Sequence, residues 1–228
     1  MLKLKTGHKL LILTMVVIAV FAIIIFSKTD SFIDQKSTHL LFLEEFSGNN
    51  LSSKWEIVKN LNGTIAISDG ILELKEGTHK RVNSSFEIFH SNSTLELTGK
   101  VKFTGYYQKF GININAENIL NAAGIYFDTF CPQDYSCNAA NTPLVDGEDR
   151  VHLMIKENNI DLFETRARIR YGEFHELKIV VSPADVNFFI DNNLVGISRH
   201  KFTGSITIGV WNDRSADMQV DWIKVEQG

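Results

Sequence analysis

The chain has 228 residues, of which 44% are hydrophobic and 22% charged, and its formal net charge at pH 7 is −4. This length suits one or two domains, and 16 Phe against three Pro favour many strands around an aromatic core. Lys3, Lys5 and Lys9 precede the first apolar run, and without them 20 basic residues face 27 acidic ones. This balance excludes a nucleic-acid-binding protein, which needs a basic footprint.

The first predicted element is an apolar segment over residues 10–26, whose only polar member is Thr14. A helix of this length spans about 25 Å, and lysines at its two ends can snorkel to extend it across a bilayer. A cleaved signal peptide is the alternative, but its apolar region is usually about 7–15 residues long. Residues 27–30 also offer no small-x-small cleavage site. The sequence therefore favours an uncleaved signal anchor over residues 1–27.

The charges beside this segment predict its orientation. The three lysines lie before it, whereas Lys28 is soon followed by Asp30 and Asp34. The positive-inside rule then leaves the N-terminus in the cytoplasm and exports the remainder. Residues 28–38 are polar and are predicted to be a short linker. We expect a single-pass protein of the cell membrane with an extracytoplasmic C-terminal domain.

Two features typical of exported proteins agree with this orientation. Asn-x-Ser/Thr sequons, which are predicted glycosylation sites, begin at Asn50, Asn62, Asn83 and Asn92. Chance alone gives about two sequons in a chain of this composition, so four are mild support. The only cysteines, Cys131 and Cys137, favour a disulfide that contributes roughly 2 kcal/mol by loop closure. Two unpaired thiols are the alternative.

From residue 39 onward the sequence consists of short strand-like runs separated by turns. Three hairpins are predicted, with turns at Asp69-Gly70, at residues 157–159 and at Asn192-Asn193. Strands at this spacing, without helices between them, indicate an all-β antiparallel sandwich or barrel. We expect residues 39–227 to form a single domain.

Three groups of runs resemble one known family. They are similar to strands of concanavalin A-like lectin/glucanase domains. The opening strands of that family resemble residues 42–46, Trp55 and residues 70–74. The middle strands resemble residues 173–181 and 188–195, and the closing strand resembles residues 218–225. Together the matches span nearly all of the predicted domain. The resemblance implies an antiparallel jelly-roll β-sandwich of two curved sheets that binds ligands on its concave face.

Laminarinase- and lichenase-type members of this superfamily hydrolyse β-glucans with Glu-x-Asp-x-x-Glu on one strand, using the first Glu as nucleophile and the last as acid/base. The nearest match is Asn159-Ile-Asp161-Leu-Phe-Glu164. The amide of Asn159 cannot form the covalent glycosyl ester, so the retaining mechanism is lost. We therefore expect a non-catalytic domain that binds carbohydrate or another envelope component. The alternatives are a glycan-acting hydrolase with a non-standard catalytic set, including Asp128, Asp161 or Glu164, and a structural envelope subunit.

The resemblance also implies a structural calcium ion on the convex side. In related domains, main-chain carbonyls near the first hairpin glycine and the Asp of the closing strand bind it. Gly70 and Asp221 occupy the matching positions. Calcium prefers such oxygen ligands, but one carboxylate makes a weak site. The alternative is that Asp221 pairs with the backbone or with a lysine.

Sugar recognition needs aromatic faces for the rings, with amides and charged groups for the hydroxyls. The candidate ligand-binding residues of these types are Tyr107, Tyr126, Trp211 and Asn212. Alternation in residues 205–211 predicts that Thr207, Gly209 and Trp211 share one strand face, away from the apolar positions. Trp211 is a candidate ligand platform, although a Trp in a β-sandwich more commonly occupies a core position.

A second candidate ligand surface is a run of alternating arginines. Arg166, Arg168 and Arg170 alternate with Ala167 and Ile169, which places three guanidiniums on one strand face. Such a row suits carboxylated or sulfated glycans, because guanidinium binds these anions through two parallel hydrogen bonds. An ordinary solvated convex face is the favoured interpretation, and the anion-binding row is the alternative to test.

Overall fold

The computed structural model describes residues 38–53, 55–59, 64–75, 80–84, 93–106, 108–114, 123–129, 150–157, 160–201, 206–212 and 217–228. The predicted anchor, nearly all of the linker, and the cysteine pair lie outside these ranges, as do Asn62, Asn92, Tyr107 and Asn159. Within them, no helix is long and apolar enough to cross a membrane. Residues His39–Gly228 pack as one unit.

The described ranges contain fifteen strands and no helix. In chain order the strands are β1 (His39–Glu44), β2 (Trp55–Lys59), β3 (Ile65–Ser68), β4 (Ile71–Leu74), β5 (Lys80–Ser84), β6 (Leu95–Lys102), β7 (Gln108–Ile114), β8 (Ala123–Asp128), β9 (Arg150–Glu157), β10 (Ile160–Arg168), β11 (His175–Val181), β12 (Val186–Ile190), β13 (Asn193–Ser198), β14 (Ile206–Asn212) and β15 (Met218–Gln227).

The strands form two antiparallel sheets. Sheet 1 has the order β13-β12-β11-β6-β15-β4-β3, and β1 also pairs with β15. These two partners use different halves of β15, since β4 pairs with Met218–Val220 and β1 with residues at its C-terminal end. Sheet 2 has the order β10-β9-β8-β7-β14-β5-β2. The predicted all-β antiparallel sandwich is confirmed.

The core lies between the sheets, and alternate residues of strands such as β4, β11 and β12 are buried in it. Phe188 of sheet 1 packs edge-to-face on Phe127 of sheet 2, with ring centroids 5.6 Å apart, and stacks on Phe163 at 6.0 Å. Asn212 also joins the sheets, because its Nδ2 donates a hydrogen bond of 2.8 Å to the carbonyl of Leu74. Since the inward positions are filled by this packing, a ligand surface must use the outer faces, which point away from the opposite sheet.

The hairpins follow the predicted turn chemistry, with one shift. Asp69 and Gly70 have φ of 52° and 77°, as a type I′ turn requires, so the β3–β4 hairpin is confirmed. The β12–β13 turn lies one residue earlier than predicted, at Asp191 and Asn192. The Asp191 carboxylate explains the shift, because it accepts a hydrogen bond of 2.9 Å from the amide of Glu176 and holds the turn against β11. In the third hairpin β9 pairs with β10, and residues 158–159 lie outside the described ranges.

Candidate functional site

The register of sheet 2 aligns outward-facing residues from five neighbouring strands. Trp211 lies opposite Lys109, Lys109 opposite Asp128, Asp128 opposite His152, and His152 opposite Arg166. Residues directly opposite each other in a ladder point to the same face. We call these five residues the central row. With neighbouring strands about 4.8 Å apart, the row is roughly 19 Å long.

An aromatic pair lies at one end of the central row. The ring of Tyr126, on β8, lies 4.8 Å from that of Trp211, on β14, at an interplanar angle of 62°. Gly111 and Gly124 allow this packing, because a Cβ at Gly124 would collide with the Tyr126 phenol and one at Gly111 would collide with the Ile125 carbonyl oxygen and the Tyr126 ring. The Tyr126 ring therefore lies close over the sheet and supports Trp211, which is half-buried.

Lys109 joins this aromatic pair to the carboxylate of the central row. Its Nζ lies 5.7 Å from the centroid of the Tyr126 ring and 5.9 Å from that of Trp211, within the range of cation–π attraction. The same Nζ lies 2.9 Å from Oδ2 of Asp128. The site therefore places an ammonium group between two aromatic rings and a buried carboxylate.

Asp128 is the most deeply buried charged residue of the row, with 1% of its surface exposed. Its contact with Lys109 is an ion pair, and neither carboxylate oxygen accepts an aligned hydrogen bond from a described residue. Buried carboxylates normally have their acceptor positions filled, because an unfilled position costs free energy. Among the described residues, Lys109 is thus the group that compensates the charge of Asp128.

Beyond Asp128, the face continues with His152 and the edge strand β10. Nδ1 of His152 lies 2.8 Å from Oε1 of Glu164, and His152 is buried whereas Glu164 is exposed. A β-bulge between Asp161 and Phe163 brings Asp161 to the same face as Glu164, opposite Lys156. Asp161 forms an ion pair of 3.2 Å with Lys156. The carboxylates of the near-match motif therefore share the outer face but lie at its edge.

The other predicted ligand-binding residues occupy different positions. Asn212 is buried on the inward side of β14, where its bond to Leu74 is structural. Arg166 and Arg168 are exposed on β10, which ends at Arg168. Arg170 lies beyond the strand, with its side chain 79% exposed and 3.7 Å from Glu173. The arginine row is thus a pair on the strand.

The positions predicted for calcium do not suit a site formed by side chains. Oδ2 of Asp221 lies 2.7 Å from Nζ of Lys100, so the one predicted carboxylate ligand already has a cationic partner. Gly70 serves the β3–β4 turn. In the described ranges, no group of three or more His, Cys, Asp or Glu residues could hold a metal ion. The calcium ion stays a prediction, which a melting temperature measured with and without chelator would test.

Two sequons fall within the described ranges. Asn50 is exposed in the segment that follows β1, so its amide is accessible to glycosylation. The backbone of Asn83 lies in β5, opposite Gly209 of β14. Glycosylation at either position stays a prediction.

Of the known proteins compared with this chain, only solved structures match it. No protein-family model and no curated protein sequence matches the chain. Among solved structures, the chain is similar to the catalytic domain of a laminarinase from Thermotoga petrophila RKU-1, with a TM-score of 0.58, 12% identity, and coverage of 83% of this chain and 98% of that one. A laminarinase from Flavobacterium sp. UMI-01 matches with a TM-score of 0.58 and 16% identity, over 82% and 99% of the two chains.

A recognition domain matches equally well. The carbohydrate recognition domain of Emp47p has a TM-score of 0.58 and 9% identity, over 81% of this chain and 93% of that one. Identities this low show the fold alone, and laminarinase and recognition domains share that fold. The predicted resemblance is therefore confirmed at the level of architecture: the described part of this chain is a concanavalin A-like jelly roll.

Proposed function

We propose that this chain is a membrane-anchored protein whose exported jelly roll binds carbohydrate on the outer face of sheet 2 without hydrolysing it. The observation that carries the proposal is the pair formed by Trp211 and Tyr126, held 4.8 Å apart beside Lys109. The part of the half-buried Trp211 ring that remains exposed suits the apolar side of a sugar ring, and the neighbouring ammonium group can donate to the sugar hydroxyls.

Asp128 supports the same proposal through Lys109. Its buried carboxylate lies 2.9 Å from Nζ of Lys109 and holds that ammonium group beside the two rings. The Lys109 side chain is 30% exposed, so its ammonium group can donate to a ligand hydroxyl. A ligand with ring faces and hydroxyl groups therefore fits better than a lipid or an apolar peptide.

The surroundings of Asp128 argue against retaining hydrolysis. That mechanism needs a second carboxyl group about 5 Å from the first. The outward positions nearest Asp128 in the sheet are Lys109 on β7, Tyr126 on β8 and His152 on β9. None of them is a carboxylate. Glu164 lies two strands away, or about 10 Å between strand axes.

A hydrolase with a non-standard catalytic set is the second candidate. One observation favours it: Asp161 and Glu164 share a face, and Glu164 contacts the imidazole of His152. Both carboxylates have partners, Lys156 for Asp161 and His152 for Glu164, which suits an ordered binding surface equally well. Laminarinase catalytic domains and the Emp47p recognition domain share this fold, so the fold is compatible with either function.

A glycan array and a hydrolysis assay on the full-length protein in nonionic detergent test the proposal together. Trp211→Ala should weaken glycan binding by at least tenfold, since it removes the aromatic platform. Trp222→Ala is the matched control, because Trp222 is also half-buried but belongs to sheet 1. The proteins should release no new reducing ends from laminarin, lichenan, agar or carrageenan. Release that disappears in Glu164→Gln would establish the hydrolase instead.

The anchor is a separate part of the proposal. The lysine-flanked segment over residues 10–26 supports an uncleaved anchor with its N-terminus in the cytoplasm. External protease should remove the jelly roll from intact cells, and the purified protein should keep its original N-terminus. A mature N-terminus beyond residue 26 would show cleavage instead.

A further inference from the structure

We infer that the carbohydrate bound by this face is anionic, and that Arg166 and Arg168 bind its sulfate or carboxylate groups at the β10 end of the central row. This inference rests on the proposed carbohydrate-binding function and names the class of ligand. It depends on the ion pairs of the face, on the shared direction of the two arginine side chains, and on the length of the row.

The ion pairs of the described outer face leave one arginine over. Its carboxylates lie on β8 and β10 and each has a partner, Asp128 with Lys109, Asp161 with Lys156, and Glu164 with the imidazole of His152. Arg166 is exposed and forms no ion pair with any residue that the structure describes. Its guanidinium is therefore available to pair with an anionic group of a ligand.

The geometry of β10 adds a second reason for an anion at this edge. Arg166 and Arg168 are exposed and lie two residues apart on the same strand, so they point to the same side. Guanidinium offers parallel N–H donors that match two oxygens of a sulfate or carboxylate group. Two such groups on one side of the edge strand therefore suit an anionic ligand.

The length of the central row determines how a ligand reaches both ends. Trp211 and Arg166 are separated by four strand spacings, or roughly 19 Å. A single sugar stacked on Trp211 cannot contact Arg166, whereas an oligosaccharide lying across the strands can. Such a ligand would pass Lys109 and Asp128 between the two ends. Binding should therefore depend on both chain length and the charge of the ligand.

The test compares laminarin with sulfated laminarin, a neutral and an anionic form of one glycan, and includes alginate as a carboxylated glycan. Affinities of the full-length protein in nonionic detergent are measured by titration calorimetry at low and high NaCl concentrations. The variants are Arg166→Gln and Arg168→Gln. Arg170→Gln is the matched control, because Arg170 lies beyond the strand and next to Glu173.

Sulfated laminarin or alginate should bind more tightly than laminarin, and salt should weaken that binding. Arg166→Gln should lower the anionic affinity about tenfold, whereas Arg170→Gln should leave it unchanged. Tighter binding of sulfated laminarin than of alginate identifies sulfate as the favoured group, and the reverse identifies carboxylate. The inference would be overturned if laminarin and both anionic glycans bound equally tightly and without a salt effect. It would also be overturned if Arg166→Gln and Arg170→Gln lost equal anionic affinity. Either result would leave the proposed function standing. If no glycan binds, the proposed function itself fails.

Discussion

Replacing Lys109 with Met tests whether Asp128 is a buried charge held by a single partner. Met keeps the apolar stem beside Tyr126 and Trp211 but removes the ammonium group 2.9 Å from Asp128. Because Asp128 is 1% exposed, water cannot replace the lost partner. Breaking a buried pair in this way costs about 3–5 kcal/mol. At about 2–4 °C per kcal/mol in a domain of this size, the melting temperature should fall by roughly 6–20 °C.

The double variant separates the charge from the shape of the site. In Lys109→Met/Asp128→Asn the buried group is a neutral amide, whose missing hydrogen bonds cost about 1–3 kcal/mol. The double variant should therefore recover roughly 2 kcal/mol relative to the single Lys109 variant. Thermal unfolding followed by circular dichroism measures both. A single variant that melts with the wild-type protein, or a double variant no more stable than the single, would refute the reasoning.

Two further predictions concern the core and the acid sensitivity of the fold. Phe188→Ala should lower the free energy of unfolding by about 3–5 kcal/mol, because Phe188 fills the space between Phe127 and Phe163. Phe189 lies on the half-buried face of the same strand, so Phe189→Ala should lower it by less than half as much. Denaturant titrations measure both. The hydrogen bond from Lys75 holds the pKa of Glu73 below its ordinary value of 4.5. Partial burial raises this pKa, but a second hydrogen bond, from Gln219, lowers it further. Glu73 therefore stabilises the fold at neutral pH and loses this effect as the pH falls through its lowered pKa. Glu73→Gln should destabilise the protein at pH 7 and have little effect on stability well below pH 4.5. An equal loss of stability at both pH values would contradict this.

Local turn chemistry was the most predictable part of the fold. The Asp69-Gly70 turn could be read from the sequence because glycine readily adopts the positive φ that a type I′ turn requires. The β12–β13 turn was misplaced by one residue, since several neighbouring residues suit a left-handed conformation equally well. The choice is made by the contacts of Asp191 with Glu176 and with Nδ1 of His175, on β11. Such contacts between strands distant in sequence leave no local signal.

The candidate site was predictable only in part, for a similar reason. Alternation correctly placed Trp211 on the outward side of β14, and composition singled out Tyr126. Their contact depends on β7, which pairs with both β8 and β14, and sequence alone did not reveal that order. Lys109 and His152 were missed, although each is a polar residue at an alternate position of an otherwise apolar strand. That alternation is the signal that would have identified them.

The question of hydrolysis depends more on strand position than on the motif that first raised it. The near match to the glucanase motif lies on β10, at the edge of sheet 2, where a bulge brings Asp161 and Glu164 to the outer face. A ligand stacked on Trp211 and lying across the strands crosses β7 and β8 first, so it meets Asp128 before either of them. The outward neighbours of Asp128 are Lys109, Tyr126 and His152, which supply no second carboxylate. Among the described residues, the central strands of this face therefore hold no pair of carboxylates for retaining hydrolysis, whatever residue occupies the nucleophile position of the motif.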